Sequence, residues 1–166
     1  MASNCSKDKI WKDDELSIQR MSYTGNQLRI DGYYYELVDG VLYGIYCFYD
    51  NGVIHHLWDG IKTSEINQFE QTITTIEFIE KIKKIKYSWG VFQIEGNQIK
   101  FERWYPSDPP LKSYMRTGEI INDTTFVISE SYRMHKGKKS EIKARKETYH
   151  FKQFSPKPDS TNTFVP

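Results

Sequence analysis

Short runs of β-branched and aromatic residues, separated by pairs of turn-forming residues, dominate the hydrophobic pattern of this chain. Asp39-Gly40 and Asn51-Gly52 divide the first part of the sequence into three such runs. Gly96-Asn97 and Asn122-Asp123 each separate two further runs. Tight hairpin turns require positive φ, which Gly, Asn and Asp tolerate, and such turns join neighbouring antiparallel strands. The pattern therefore predicts a series of β-hairpins.

Eight strands follow from these signals. Because most are joined by tight turns, they predict an up-and-down sheet, and about eight strands make the smallest barrel that holds side chains or one small ligand. Closing the sheet also removes its exposed edges. We therefore expect an all-β fold, an eight-stranded antiparallel up-and-down barrel. The predicted strands are 28–38, 41–50, 53–58, 88–95, 98–104, 112–121, 124–134 and 147–154.

One segment departs from the alternation that is typical of strands. From Phe69 to Ile85, apolar residues recur every three or four positions, which predicts one amphipathic helix between the third and fourth strands. A second, short helix is predicted over residues 13–21, because acidic residues at its start favour a helix N-terminus. It would cover one barrel end with Trp11, Leu16 and Ile18.

The remaining segments lack strand signals. Three prolines lie within residues 105–111, and proline cannot donate a hydrogen bond to a sheet, so a loop is predicted there. The charged stretch 136–146 predicts a basic surface loop. Beyond residue 154 the composition turns to Ser, Pro, Thr and Asn. The chain is therefore expected to comprise a tether over 1–11, a barrel domain over 12–154 and a flexible tail over 155–166.

Composition narrows the classes of partner. The chain has 23 Lys and Arg against 22 Asp and Glu, so it lacks the positive charge that attracts nucleic acid, and no nucleic-acid partner is expected. No apolar run approaches the roughly 18 residues of a membrane-spanning helix. Its 166 residues suit one domain, which we expect to be monomeric.

The two cysteines lie in different surroundings. Cys47 stands in an aromatic run and is expected to be a small buried residue. Cys5 follows small residues and precedes a hydrophilic stretch, as at the end of a bacterial lipoprotein signal, although an ordinary disordered terminus would look the same. If Cys5 is lipidated, the protein belongs to the bacterial cell envelope, in the periplasm or at the outer membrane. Its only membrane contact would then be the lipid anchor.

Three segments make the chain resemble the bacterial lipocalin-like lipoproteins of the calycin group. They are residues 30–35, 89–94 and 118–126, and the resemblance covers roughly residues 5–154. It implies an eight-stranded barrel behind a lipidated N-terminal cysteine. Lipocalins usually carry a Gly followed two residues later by Trp in the first strand. Here Gly32 is followed by Tyr34, which would fill the barrel base in a similar way.

Motifs for catalysis or metal binding are weak. His55 and His56 are adjacent, and adjacent strand residues point to opposite faces, so the two rings are not expected to share a metal ion. The sequence contains no nucleophile elbow, phosphate-binding glycine loop or paired-cysteine motif. We therefore expect a noncatalytic protein without a metal or cofactor.

The aromatic residues, which make up 15% of the chain, allow two interpretations: they line a ligand cavity or they fill the core. The first predicts a binding module that takes a small apolar or amphipathic ligand into the barrel. The alternatives are a structural or interaction protein with a packed interior and an enzyme with an acid–base site inside the barrel. The candidate ligand-binding residues are Tyr35, Tyr46, Phe48, His56, Trp58, Trp89, Phe101 and Tyr132.

Overall fold

The computed structural model describes residues 12–166 as antiparallel strands with two short α-helices. Cys5 and Trp11 lie outside the described residues, so lipidation of Cys5 stays a prediction. The strands are β1 (Gly32–Val38), β2 (Val41–Phe48), β3 (Val53–Trp58), β4 (Ile61–Lys62), β5 (Trp89–Glu95), β6 (Gln98–Tyr105), β7 (Lys112–Asn122), β8 (Thr125–His135) and β9 (Lys138–Gln153).

The sheet closes on itself. Strand β1 pairs with both β2 and β9, so β1–β3 and β5–β9 form a closed meander of eight strands. The two-residue β4 pairs with the start of β2. This arrangement confirms the predicted fold class, an eight-stranded antiparallel barrel of lipocalin-like architecture.

The predicted turns account for most of the hairpins. Asp39 and Gly40 have φ values of 49° and 76°, and Gly52 and Gly96 also have positive φ, as tight hairpin turns require. A further turn, Lys136-Gly137, was not predicted, although its φ values of 48° and 76° are of the same kind. The segment 136–146 is therefore a turn and the first half of β9, and the predicted basic loop is wrong.

The polar sequence of this part of β9 has a geometric cause. Residues 138–147 pair only with β8, whereas the contact with β1 begins at Tyr149. The first half of β9 is thus part of a two-stranded ribbon, largely open to solvent on both faces. A strand without a buried face needs no apolar alternation, so its sequence carries little strand signal.

The predicted helical segment lies where expected but consists of two helices, α1 (Ile66–Ile73) and α2 (Ile76–Lys83). Thr74 and Thr75 separate them, and the Thr75 hydroxyl accepts a hydrogen bond from the Phe78 backbone N–H, which caps α2. The helices pack on the outside of the barrel. Their buried residues are Phe69, Ile73, Phe78 and Ile82.

Two apolar layers lie on either side of the sheet. The outer layer is buried beneath the helices and the terminal segments. The inner layer fills the barrel with aromatic rings whose centroids lie 4.8–6.5 Å apart. Tyr34 lies at the base, as expected, and its hydroxyl donates to the carbonyl oxygens of Arg29 (2.9 Å) and Asp123 (3.0 Å). The inner aromatic residues are Tyr34, Tyr46, Phe48, Phe92, Phe101, Phe126 and Tyr149.

Residues 13–21 contain no helix, contrary to the prediction. Their acidic side chains bind groups of the barrel: Asp13 accepts from the Leu111 backbone N–H, and Asp14 forms two hydrogen bonds with Arg133. These partners lie on the barrel, so the segment runs across its outer surface. We call residues 13–18 the N-terminal strap.

The C-terminal segment 155–166, predicted to be flexible from its composition, packs on the barrel. Val165 is buried in the outer layer, and the Tyr49 hydroxyl donates to the Pro158 carbonyl oxygen over 2.6 Å. The Lys157 ammonium donates to the Phe48 carbonyl oxygen over 2.9 Å. These few contacts thus hold in place a segment whose sequence lacks an apolar pattern. Within residues 12–166, no helix is long and apolar enough to cross a bilayer.

Candidate functional site at the barrel mouth

At the end of the barrel opposite Tyr34, aromatic packing gives way to an open cavity of about 330 Å³, which we call the mouth cavity. The inward alternation of β6 continues from Phe101 into Arg103 and Tyr105, so charged and polar side chains occupy core-facing positions. The lining residues that carry polar or ionisable groups are Glu36, Tyr43, Tyr46, His56, Asp59, Tyr87, Arg103, Tyr105, Arg116, Glu147 and Tyr149.

Arg103 is almost fully buried, with 4% of its surface exposed. Its Nε donates to the Tyr46 hydroxyl over 3.2 Å, and Nη1 donates to the carbonyl oxygens of Tyr87 and Trp104, each over 3.0 Å. The guanidinium carbon lies 3.8 Å from the centre of the Tyr105 ring, in a cation–π contact. These contacts fix the guanidinium at the floor of the mouth.

Arg116 has a different environment. It forms an ion pair with Glu147, and its Nε donates to the Tyr105 hydroxyl over 2.7 Å. Burial favours the neutral phenol of Tyr105, but the positive charges of Arg103 and Arg116 outweigh it and lower the pKa of Tyr105. Burial instead raises the pKa of Tyr46 to about 12. The mouth therefore presents two guanidinium groups beside phenols of unequal acidity.

His56 and Asp59 occupy the rim. Nε2 of His56 lies 3.0 Å from Oδ2 of Asp59, and the Gly44 backbone N–H donates to Oδ1 of Asp59 over 2.6 Å. Burial, assisted by the charge of Arg103, lowers the pKa of His56 to about 4. The ring is therefore neutral at pH 7, and Asp59 remains a half-exposed carboxylate at the edge of the cavity.

Gly44 forms an irregularity in β2 that shapes this rim. The register of β2 shifts against both β1 and β3 close to Gly44, as in a β-bulge. Its φ is 51°, and a Cβ atom there would lie 2.7 Å from the Tyr149 hydroxyl. Glycine is therefore required both for the backbone conformation and for the space beside Tyr149.

A second cavity of about 600 Å³, the side groove, lies between the end of β3 and α2. Its apolar wall includes Trp58, of which 45% is exposed, and the Trp58 ring centroid lies 6.1 Å from that of Phe78. Three residues line both the side groove and the mouth cavity, so the two cavities adjoin. The shared residues are His56, Asp59 and Tyr87.

The candidate ligand-binding residues do not form one site. Tyr46 and His56 line the mouth cavity, and Trp58 lines the side groove. Phe48 and Phe101 belong to the packed barrel interior. The other three line neither cavity. Tyr35 and Trp89 pack in the outer layer, and Tyr132 lies beneath the Lys139 ammonium, 4.0 Å from the ring centroid.

As predicted, the adjacent histidines of β3 point to opposite faces of the sheet. The His55 ring stacks on Trp89 in the outer layer, with centroids 3.8 Å apart, whereas His56 faces Tyr46 inside the barrel. Neither nitrogen of His55 has a hydrogen-bond partner among residues 12–166. Over the same residues, no three His, Cys, Asp or Glu side chains are grouped so as to hold a metal ion.

The most buried charged residues of the mouth, Arg103 and Arg116, were not predicted from sequence, nor were Tyr105 and Glu147. A signal was present: Phe101, Arg103 and Tyr105 alternate in β6, so an inward Phe101 implies an inward Arg103. Comparison of the chain with protein-family models, curated proteins and solved structures found no match.

Proposed function

We propose that this protein is a noncatalytic binding module that takes a small amphipathic molecule at the barrel mouth. The polar end of the ligand occupies the mouth cavity, and its apolar body lies in the side groove. The observation that carries the proposal is the meeting of a polar and a largely apolar cavity at His56, Asp59 and Tyr87. Volumes of about 330 and 600 Å³ lie in the range of small-molecule sites.

The proposed ligand lies at the mouth and not deep inside the barrel, because side chains fill the barrel interior. Phe48 contacts Phe92, Phe101 and Phe126 edge to face, with centroids 4.9–6.2 Å apart. A ligand therefore binds above this aromatic floor. Its apolar part replaces water along Phe78 and Ile82, and such burial contributes roughly 25 cal/mol per Å².

A second candidate function, an interaction protein, is favoured by the same packed interior and by the ribbon of β8 and β9. Ile142 in this ribbon is 56% exposed, among several lysines. Residues 138–147 of β9 pair only with β8, and an open strand edge of this kind can pair with a strand of another macromolecule. If no small amphipathic molecule binds the mouth, this second function becomes the better account of the barrel.

Trp58 provides the direct test of the proposed site. We expect decanoate or its neutral analogue decanamide, titrated below the micellar range, to shift Trp58 fluorescence with saturation. Trp58→Ala should weaken the affinity measured by calorimetry roughly five- to tenfold, because part of the apolar wall is lost. Since the ring is half exposed, stability should change by only about 1 kcal/mol.

Trp89→Phe is the matched control, because Trp89 is fully buried in the outer layer and lines neither cavity. This variant should keep both the affinity and the fluorescence response. Absence of saturable binding by both probes would contradict the proposed function. Equal weakening by the two variants would place the ligand elsewhere.

We also propose that Cys5 carries a lipid that tethers the barrel to the cell envelope, on the basis of the small residues before it and the hydrophilic stretch after it. The full-length gene product, expressed in a bacterial host, should fractionate with membranes. Cys5→Ala should release it to the soluble fraction, whereas Cys47→Ala should not. Identical fractionation of wild type and Cys5→Ala would refute the anchor.

A further inference from the structure

The floor of the mouth contains a buried positive charge without a carboxylate partner. Among the described residues, Arg103 forms no ion pair, although it is 4% exposed, while neighbouring Arg116 is paired with Glu147. An unpaired charge out of water is costly unless a counter-ion approaches it. This difference between two neighbouring arginines leaves the Arg103 guanidinium able to pair with an anion that enters the mouth cavity.

The N–H groups of Arg103 that have no hydrogen-bond partner among the described residues all belong to one nitrogen. Nε and Nη1 are used by Tyr46, Tyr87 and Trp104, whereas Nη2 has no hydrogen-bond partner within residues 12–166. Arg103 lines the mouth cavity, and Nη2 is not among the fully buried polar atoms that lack a partner, so a ligand in the cavity can reach this nitrogen. A guanidinium nitrogen provides charge-assisted hydrogen bonds to an anionic oxygen.

We propose that Arg103 binds the carboxylate of an amphipathic monocarboxylate whose apolar chain extends into the side groove. This inference rests on the proposed function, because it names the polar end of the same ligand. The carboxylate forms an ion pair with the Arg103 guanidinium, and Tyr46 and Tyr105 line the cavity beside it.

The surrounding acids favour a monoanion over a phosphate dianion. Glu36, Asp59 and Glu147 all line the mouth cavity, and Glu147 is already paired with Arg116. A second negative charge on the ligand would meet these carboxylates without a further unpaired arginine to balance it. Since Glu36 and Asp59 line the same cavity without an arginine partner among residues 12–166, a ligand with a single negative charge next to Arg103 meets less repulsion than a dianion.

Wild-type protein is tested with three probes that share a ten-carbon chain: decanoate, decanamide and decyl phosphate. Calorimetry at pH 7.5 should show decanoate binding at least tenfold more tightly than decanamide and more tightly than decyl phosphate. Equal affinity for decanoate and decanamide would overturn the carboxylate assignment while leaving the proposed function intact. Binding of none of the three would overturn both.

Arg103→Gln should reduce the preference for decanoate over decanamide to within about twofold, because the charge is lost while decanamide binding persists. Arg29→Gln is the matched control: Arg29 is paired with Asp31 at the opposite end of the barrel, so the preference should survive. If Arg103→Gln does not fold, Arg103→Lys is measured. It keeps the charge and should retain a preference for decanoate that is smaller than that of wild type. A full preference in a folded Arg103→Gln would overturn the proposal.

Discussion

Glu102→Ala is expected to lower the free energy of unfolding by about 3–5 kcal/mol, because the donors that this fully buried carboxylate binds would be left without an acceptor. One oxygen of Glu102 accepts from the backbone N–H and hydroxyl of Ser17, over 2.6 and 2.8 Å, and from the Ile18 N–H over 3.2 Å. The other accepts from the Ser113 hydroxyl over 2.9 Å. The carboxylate thus joins the N-terminal strap to β6 and β7.

Urea denaturation followed by circular dichroism measures this effect. Glu95→Ala is the control, because Glu95 also belongs to the sheet but is exposed, with only a surface ion pair to Lys100. Its loss should cost at most about 0.5 kcal/mol. Hydrogen exchange should also show faster exchange at Ser17 and Ile18 in Glu102→Ala. A stability loss below 1 kcal/mol with unchanged exchange would mean that the strap contributes little to the fold.

Acidification from pH 6.5 to pH 4 is expected to destabilise the protein by about 3 kcal/mol for each buried histidine of β3. Burial, with the charge of the neighbouring ring, lowers the pKa of His55 to about 3, and burial lowers that of His56 to about 4. As the pH falls, both histidines are therefore protonated in the unfolded chain before they are protonated in the folded chain. The contribution of these histidines to the free energy of unfolding is fully present above pH 6.5 and is lost as the pH falls toward 4.

Denaturation at a series of pH values, with His55→Phe as the test variant, isolates one histidine. A phenylalanine ring can keep the stack on Trp89, and it removes two ring nitrogens that have no partner among the described residues. We expect unchanged or slightly higher stability at pH 7 and about half the loss on acidification. His150→Gln, at an exposed position, should behave as wild type. Equal loss in His55→Phe and wild type would contradict this assignment.

Local turn chemistry explains why much of the fold was predictable. Asp39-Gly40 and Asn51-Gly52 carry backbone preferences that do not depend on distant residues, and β2 between them is rich in apolar residues because both of its faces are buried. Lys136-Gly137 gives only a weak turn signal, because Lys is an uncommon turn residue and the ribbon beyond it has no buried face. The predicted helix over residues 13–21 is wrong because Asp14 binds Arg133, a partner 119 residues away.

The site was less predictable than the fold, for a related reason. Aromatic residues such as Trp89 and Tyr46 look alike in sequence, yet the former is buried on the outside of the barrel and the latter inside it. The irregularity at Gly44 changes which residues of β2 face inward, and sequence alternation alone does not place such a shift. In the sequence, Arg103 and Arg116 resemble ordinary solvent-facing residues. Only the order of the strands shows that each arginine faces aromatic residues that lie beside the other.

The pairing of β1 with β9, which closes the barrel, affects how fast the protein folds. Residues near the start of the barrel pair with the last strand, as Gly32 does with Gln153, so the ring of strands cannot close on the ribosome until nearly the whole domain has been synthesised. Until then β1 and β8 each present an unpaired edge, the kind of surface through which sheets aggregate. Such distant pairings carry a high entropic cost before they contribute stability, which favours slow folding. The protein should therefore depend more on chaperones during synthesis than its size suggests.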